Sequence, residues 1–215
     1  MKVFIVFADP DQTGNSFMHR VLTTTKLTLE SRGYFVRVSD LYRSSCTFVP
    51  SFCDFTEYVN TDIIQYDVEQ MNGKFISEIK EEQEKLLWAN ILIFIAPLWF
   101  GELPSILHAW IERIFPMSWQ NTDYTQAKFA RKKAMCVVGT PLPFEIYNVD
   151  SFRGPLEERL IQITAGVFAQ CNFIPLRTKC FFSMPVHATE EDDSILERWS
   201  EEISKLETRE AITVC

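Results

Sequence analysis

Short apolar runs alternate along the chain with stretches in which apolar residues recur every three or four positions. The apolar runs predict buried strands at Val3–Phe7, Phe35–Val38, Ile91–Ile95, Ala134–Val138 and within Phe173–Phe182. The periodic stretches predict helices over Ser16–Ser31, Glu78–Trp88, Leu103–Phe115, Pro155–Ala169 and Ser194–Leu206. Strands that alternate with helices in this way are typical of a parallel sheet.

This pattern predicts a single α/β domain over residues 1–215, a doubly wound five-stranded parallel sheet with helices on both faces. Five strands favour the flavodoxin-like strand order, in which a ligand binds in the crevice between the first and third strands. The alternation fails over residues 42–76, which contain Pro50, several aromatics and little periodicity. We expect a loop excursion there that is functional or forms an interface.

The third predicted strand leads into the most informative loop. We expect Ile91–Ile95 to stop before Pro97, because proline cannot donate to a sheet. Trp99 and Phe100 follow, at the carboxyl end of a central strand where open α/β sheets bind ligands. Pro104 suits the first turn of the next helix. The alternative is that the two aromatics cap the core or form a protein interface.

The loop after the first strand, Ala8–Phe17, is polar and leads into a helix. Free backbone N–H groups and the helix dipole at such a position suit a phosphate. Thr13 and Ser16 can add hydroxyl donors. The alternative is that Asn15 or Ser16 is an ordinary N-cap. The loop lacks the G-x-G-x-x-G pattern, which argues against a nicotinamide cofactor bound in the Rossmann manner.

Composition narrows the class of partner. The formal net charge of −8 would repel nucleic acid and anionic lipid. No apolar stretch is long enough to span a membrane, so we expect no integral membrane segment. The six cysteines and three histidines show no spacing typical of a metal site. We therefore expect reduced thiols, no metal and a cytoplasmic location.

Residues 93–115 read IFIAPLWFGELPSILHAWIERIF. This stretch resembles the NAD(P)H:quinone oxidoreductases, a family with a flavodoxin-like fold in which a Pro-Leu-aromatic loop wraps the flavin ring. The resemblance implies that the cofactor is bound by Pro97, Leu98, Trp99 and Phe100.

Two further segments carry the resemblance. Ser16 and Phe17 match a Ser-Phe pair that contacts the flavin phosphates and ribityl chain in this family. The resemblance implies that these two residues bind the cofactor together with Thr13 and Asn15 of the same loop. Gln65 resembles a glutamine that reaches the adenine-side phosphates of FAD across a dimer, although by itself it reads as a surface loop residue.

The first loop also departs from the family pattern. Asp9 and Pro10 stand where the family usually has His-Pro. An acid that faces a phosphate would repel it. We therefore expect Asp9 to point away, to pair with a cation or to weaken cofactor binding.

The loop after the fourth strand matches least. The family has Thr-Thr-Gly-Gly there, with backbone N–H groups near the flavin pyrimidine edge, followed by a Tyr and a His. Gly139 and Tyr147 match, Thr140 replaces the second glycine, and Arg153 takes the approximate place of the histidine. The resemblance implies that Tyr147 is catalytic. Arg153 either stabilises charge on the reduced flavin or is a surface arginine.

Taken together, the resemblance implies a homodimeric flavoprotein that oxidises NAD(P)H and reduces quinones or similar acceptors in a ping-pong scheme. The expected cofactor is FAD, with FMN as the alternative. A second interpretation is a flavin-binding regulatory subunit of a potassium-efflux type system, because the altered loop after the fourth strand would suit lost catalysis. A third is an interaction protein that kept the fold without a flavin.

Overall fold

A parallel sheet forms the centre of the fold. The computed structural model describes residues 1–44, 49–63, 65–119, 123, 128–151, 153–185 and 192–212. The strands are β1 (Lys2–Phe7), β2 (Phe35–Asp40), β3 (Ile91–Pro97), β4 (Lys133–Gly139), β5 (Ile174–Pro175) and β6 (Lys179–Phe181). They lie in the order β2-β1-β3-β4-β5, β6 also pairs with β4, and every pairing is parallel. The predicted fold class and strand order are confirmed.

Helices cover both faces of this sheet. They are α1 (Phe17–Ser31), α2 (Tyr66–Asn72), α3 (Ser77–Trp88), α4 (Ser105–Ile114), α5 (Leu156–Arg159), α6 (Ile161–Ile163) and α7 (Asp193–Ile203), and a π-helical segment spans Thr164–Ala169. Short 3₁₀ turns lie at Phe52–Asp54, Met117–Trp119, Phe144–Tyr147 and Leu206–Thr208. Within the described part of the chain, none of the helices has the length and apolar character needed to cross a membrane.

The core has one apolar layer on each face of the sheet. Phe4 and Val6 of β1 pack in the layer that includes α3 and α4. Val3, Ile5 and Phe7 point the other way, into the layer formed with α1 and α7. Side chains alternate between faces along a strand, so a strand that is covered on both faces reads as a continuous apolar run.

The fifth strand is split, where the sequence predicted one continuous strand. Ile174 and Pro175 pair with the beginning of β4, and β6 pairs with its end. Between them the chain leaves the ladder: the Arg177 amide donates to the Glu210 carbonyl at 2.9 Å, and Leu176 forms an antiparallel bridge with Ala211. Pairing with this later segment therefore interrupts the strand.

Two predicted boundaries around the aromatic loop were wrong. β3 continues through Pro97, which lies opposite Gly139, because the Leu98 amide donates to the Gly139 carbonyl at 2.7 Å and pairing continues past the proline. The next helix begins at Ser105, with Pro104 as its N-cap in an extended conformation (ψ 143°), rather than at the predicted Leu103.

The predicted helix Pro155–Ala169 is also interrupted. Leu160 leaves helical geometry at ψ 9°, and the last turn is π-helical. A π turn contains an extra residue, which rotates the apolar stripe. Phe168 is therefore fully buried, whereas Val167 is only half-buried, although a regular 3.6-residue period places it on the same face as Leu156, Leu160 and Ile163.

The excursion is docked on α4, although residues 45–48 and 64 lie outside its described part. Arg113 of α4 contacts both carboxylate oxygens of Asp54, with Nη2–Oδ1 at 2.8 Å and Nε–Oδ2 at 3.1 Å, and both side chains are buried. The Tyr66 hydroxyl donates to the same carboxylate at 2.5 Å. Burial and this bond raise the pKa of Tyr66. The excursion is thus fixed to the helix that follows the aromatic loop.

Candidate functional site

A cavity of about 480 Å³ lies where β1, β3 and β4 end, the edge at which the strand order predicts a ligand. Its lining comes from the loops after these strands, the first turn of α1 and the segment after β6: Asp9, Pro10, Asp11, Ser16, Phe17, Met18, Pro97, Leu98, Trp99, Pro141, Met184 and Pro185. The carboxyl and hydroxyl groups of the lining all come from the loop after β1, which we call the polar end, and the residues after β3, β4 and β6 form the apolar end.

The apolar end is formed by Pro97, Leu98 and Trp99, together with Pro141 and Met184 from other loops. Leu98 is buried, whereas Trp99 is 43% exposed. Apolar and aromatic side chains of this kind are typical of the walls that hold flat organic ligands. This end of the cavity can therefore accept a planar ring system.

The polar end is organised by the Asp11 carboxylate. Its Oδ1 accepts from the Thr13 amide at 2.9 Å and from the Thr13 hydroxyl at 2.6 Å. Its Oδ2 accepts from the amides of Asn15 at 2.9 Å and Ser16 at 2.7 Å. These hydrogen bonds, the one from the Thr13 side chain first, lower the pKa of Asp11 from 3.8 to about 2. The N–H and O–H groups of this loop, which we predicted as phosphate donors from the sequence, therefore already donate to a carboxylate.

Asp9 forms a second acidic contact in the same loop. It is buried and accepts from the Asp11 amide at 2.9 Å and from the Ser16 hydroxyl at 2.8 Å. Because that hydroxyl gives its one proton to Asp9, it accepts from His19 Nδ1 at 2.8 Å, which assigns the proton to Nδ1. Ser16 is also the N-cap of α1 and accepts from the His19 amide. Asp9 is thus bonded within its own loop, and it also lines the cavity.

Residues 99–102, the aromatic turn, extend from the apolar end. Trp99 and Glu102 exchange two backbone hydrogen bonds of 2.9 Å. Between them, Phe100 and Gly101 both have positive φ, at 53° and 85°. Phe100 is 95% exposed and does not line the cavity.

Gly139, at the end of β4, sits directly behind the cavity wall. A Cβ there would lie 2.3 Å from the Met184 sulfur and 2.6 Å from the Met18 sulfur, so a larger residue would displace both methionine side chains. The Thr140 amide donates to the Phe181 carbonyl at 2.9 Å, which uses this N–H within the sheet. The Tyr147 hydroxyl is buried 3.3 Å from Thr140 Oγ1. Gly139, Thr140 and Tyr147 lie outside the cavity lining.

Four further predicted residues also lie outside the lining, namely Thr13, Asn15, Gln65 and Arg153. Arg153 donates from Nη1 to the Phe100 carbonyl at 3.3 Å, so its guanidinium contacts the aromatic turn. Gln65 is the residue before α2, in the excursion.

The structure therefore brings part of the predicted set together. The cavity is lined by the predicted Ser16, Phe17, Pro97, Leu98 and Trp99. Sequence reasoning missed Asp11, Met18, Pro141, Met184 and Pro185, and named Asp9 and Pro10 only as departures. The role of Asp11 could have been recognised from the sequence, because an acid followed by Thr and Asn at short spacing is typical of a side-chain-capped turn. No sequence pattern marks Met184 or Pro141, because these residues reach the cavity from loops that are distant in the sequence. Among the described residues, no group of His, Cys, Asp and Glu is placed to hold a metal ion.

Comparison with known proteins supports the family resemblance. A family model for the flavodoxin-like fold matches residues 1–205. A ribosyldihydronicotinamide dehydrogenase-like protein, traD of Penicillium crustosum, is 30% identical over 90% of this chain and 76% of its own length. NAD(P)H dehydrogenase [quinone] 1 of Rattus norvegicus is 28% identical over 94% of this chain and 76% of its own. The structure of a quinone reductase candidate from Klebsiella pneumoniae superposes with a TM-score of 0.88 at 25% identity, covering 99% of this chain and 87% of the other.

Proposed function

The chain belongs to the family of proteins with a flavodoxin-like fold, and we propose that within it this protein is a flavin-dependent NAD(P)H:quinone oxidoreductase. One observation carries the proposal: a single cavity at the ends of β1, β3 and β4 joins an apolar wall to the N-terminus of a 15-residue helix. A flavin has this division, with a planar ring at one end and phosphate at the other. The relative named NAD(P)H dehydrogenase [quinone] 1 supports the assignment.

The residues present fit a flavin at both ends, with one constraint. Pro97, Leu98 and Trp99 would hold the ring. Phosphate would lie at the first turn of α1, whose first N–H groups, from Phe17 on, have no acceptor inside the helix. The constraint is that Asp9 and Asp11 place two carboxyl groups at this end. Thr13, Asn15 and Ser16 would serve the phosphate only if Asp11 gave up their donors.

A bound flavin would supply the redox chemistry, accepting hydride from NAD(P)H and passing it to the acceptor. The chain's own contribution is to bind, orient and exclude water. Trp99 covers the ring side of the cavity. We assign charge stabilisation to two groups: the Tyr147 hydroxyl, which lies behind the cavity wall next to Thr140, and the Arg153 guanidinium, which contacts the aromatic turn. Donor and acceptor would use one cavity in turn, which favours a ping-pong scheme.

The finer properties follow from the same proposal. We infer FAD rather than FMN because Gln65 matches the glutamine that reaches the adenine-side phosphates. We infer a homodimer because Phe100, Phe144 and Val149, in the loops around the site, are 95%, 56% and 80% exposed, and exposed apolar side chains in such a group are typical of an interface.

A cytoplasmic location is the last of these inferences. Cys53, Cys136, Cys171 and Cys180 are free thiols, and reduced thiols are the rule in the cytosol. Two of the six cysteines, Cys46 and Cys215, lie outside the described residues.

The test is to purify the protein, denature it and identify any released flavin by chromatography. Stopped-flow measurement of flavin reduction by NADH and NADPH follows, and then turnover with a small quinone. We expect FAD to be released, to be reduced within seconds and to be reoxidised by the quinone. A bound flavin that neither nicotinamide reduces within minutes would instead indicate the regulatory subunit. A protein that binds no flavin would refute the proposal.

A further inference from the structure

The aromatic turn is held in a conformation that its own sequence disfavours. Positive φ at both central residues is the type I′ geometry, for which Asn-Gly is the preferred pair. Here the first position is Phe100, a bulky residue at φ 53°. Its ring is 95% exposed, so burial of the ring does not offset the unfavourable backbone. Contacts from elsewhere in the chain must hold the turn.

Two guanidinium groups provide these contacts. Arg153 Nη1 donates to the Phe100 carbonyl at 3.3 Å, and Arg159 Nε donates to the Gly101 carbonyl at 3.2 Å. Arg159 Nη2 also donates to the Glu102 carboxylate at 3.2 Å. Both carbonyl groups between Trp99 and Glu102 therefore accept from an arginine.

Arg159 is also hydrogen-bonded to Arg153. Its Nη1 donates to the Arg153 backbone carbonyl at 3.2 Å, so all three of its nitrogens contact the chain. The fit is close: a Cβ on Gly101 would lie 2.7 Å from Arg153 Nη1 and 2.9 Å from Arg159 Nε. The Nε, Nη1 and Nη2 atoms of the planar guanidinium each reach a different acceptor, whereas the three donors of a lysine ammonium radiate from one nitrogen and cannot span these three positions.

The turn begins at Trp99, which is part of the cavity wall. We propose that Arg159 is a positioning residue for this wall: it fixes the aromatic turn from α5, and through the turn it sets the place of the Trp99 ring. The consequence for flavin binding rests on the proposed function above. The consequence for the turn does not, because it concerns contacts within the chain.

The test compares Arg159→Gln and Arg159→Lys with the wild type. Arg177→Gln is the matched control, because Arg177 makes a surface ion pair with Glu210 at 3.3 Å, far along the chain from the turn. The protein is labelled with 5-fluorotryptophan, and the Trp99 signal is assigned from Trp99→Phe. The ¹⁹F shift of Trp99 in the flavin-free protein and the dissociation constants of FAD and FMN are then measured.

We expect the Trp99 signal to move or broaden in both Arg159 variants and to stay in place in Arg177→Gln. We expect flavin affinity to fall by about tenfold in both Arg159 variants, since loss of charge-assisted hydrogen bonds loosens the wall. Lysine keeps the charge, so full rescue by Arg159→Lys would overturn the role of the fork. An unmoved Trp99 signal in Arg159→Gln would overturn the proposal altogether. A moved signal in a protein that binds no flavin would retain the positioning role and refute only the proposed function.

Discussion

At the polar end of the cavity the contacts are local: the residues that bond Asp9 and Asp11 lie no more than seven positions away in the sequence. At the apolar end they are distant: the arginines that hold the aromatic turn lie 53 and 58 positions from the carbonyl groups they bond. A local loop can form its shape without the rest of the fold, whereas the aromatic turn depends on the completed packing of α5. We therefore expect substitutions at the two ends to differ in how far through the structure their effects extend and in how large those effects are.

Gly101→Ala should break the apolar end most strongly. The substitution places a left-handed conformation on alanine, which costs roughly 1–2 kcal/mol, and drives a Cβ to 2.7 Å from Arg153 Nη1. We expect quinone reduction to fall by about a hundredfold, because small displacements in a site can cost that much. Steady-state kinetics would measure the loss.

The matched control is Gly73→Ala. Gly73 has a similar φ of 71°, but a Cβ there would meet nothing within 4 Å. Urea unfolding of both variants separates backbone strain from the clash with the arginines. Equal loss of stability and unchanged activity in both variants would contradict the role of Arg153 and Arg159 in holding the aromatic turn.

Trp99→Ala should weaken flavin binding without moving the turn. Losing one aromatic contact costs on the order of 1–3 kcal/mol, or about ten- to hundredfold in affinity. Fluorescence titration with FAD and FMN measures it. Phe35→Ala is the control, because Phe35 is 68% exposed on β2, away from the cavity. The same affinity in a folded Trp99 variant and in wild type would remove Trp99 from the site.

Asp11→Asn tests the polar end of the cavity through the pH dependence of thermal stability. The pKa of Asp11 is lowered from 3.8 to about 2, so the stability that its carboxylate contributes is complete above pH 3.8 and is lost as the pH falls toward 2. We expect Asp11→Asn to melt below wild type at pH 7, and this gap to shrink on acidification to pH 3. Glu84→Gln, which removes an exposed charge on α3, is the control. A gap of the same size at pH 3 and pH 7 would be incompatible with the charged contact.

Tyr147→Phe should have the smallest effect. Its hydroxyl lies behind the cavity wall, 3.3 Å from Thr140 Oγ1, so we expect it to stabilise developing charge by no more than one neutral hydrogen bond, about 0.5–1.5 kcal/mol, or roughly two- to tenfold in rate. Stopped-flow reduction of the flavin by NADPH measures it. Tyr34→Phe, which removes a hydroxyl bonded to Glu207 at 2.9 Å outside the cavity, should leave this rate unchanged. A rate loss beyond a hundredfold would place the Tyr147 hydroxyl in direct contact with the reacting groups.

The same local-versus-distant division explains what the sequence could predict. Strands buried on both faces appear as unbroken apolar runs, so the sheet and its strand order could be predicted directly from the sequence. Pro97 to Trp99 and Ser16 to Phe17 lie at strand ends and a helix start, which mark the cavity edge. Met184 reaches the cavity only because β6 pairs with β4, and the π turn that buries Phe168 has no signal in a 3.6-residue period. Neither follows from local pattern.

The buried pair of Asp54 and Arg113 has a consequence for local unfolding. Opening the excursion would take the Asp54 carboxylate away from the buried Arg113 guanidinium of α4, and breaking a buried ion pair is costly. The excursion and α4 should therefore open as one cooperative unit. In hydrogen–deuterium exchange, Tyr66–Asn72 and Ser105–Ile114 should take up deuterium together. The aromatic turn, which ends two residues before the N-cap of α4, is thereby attached to that cooperative unit.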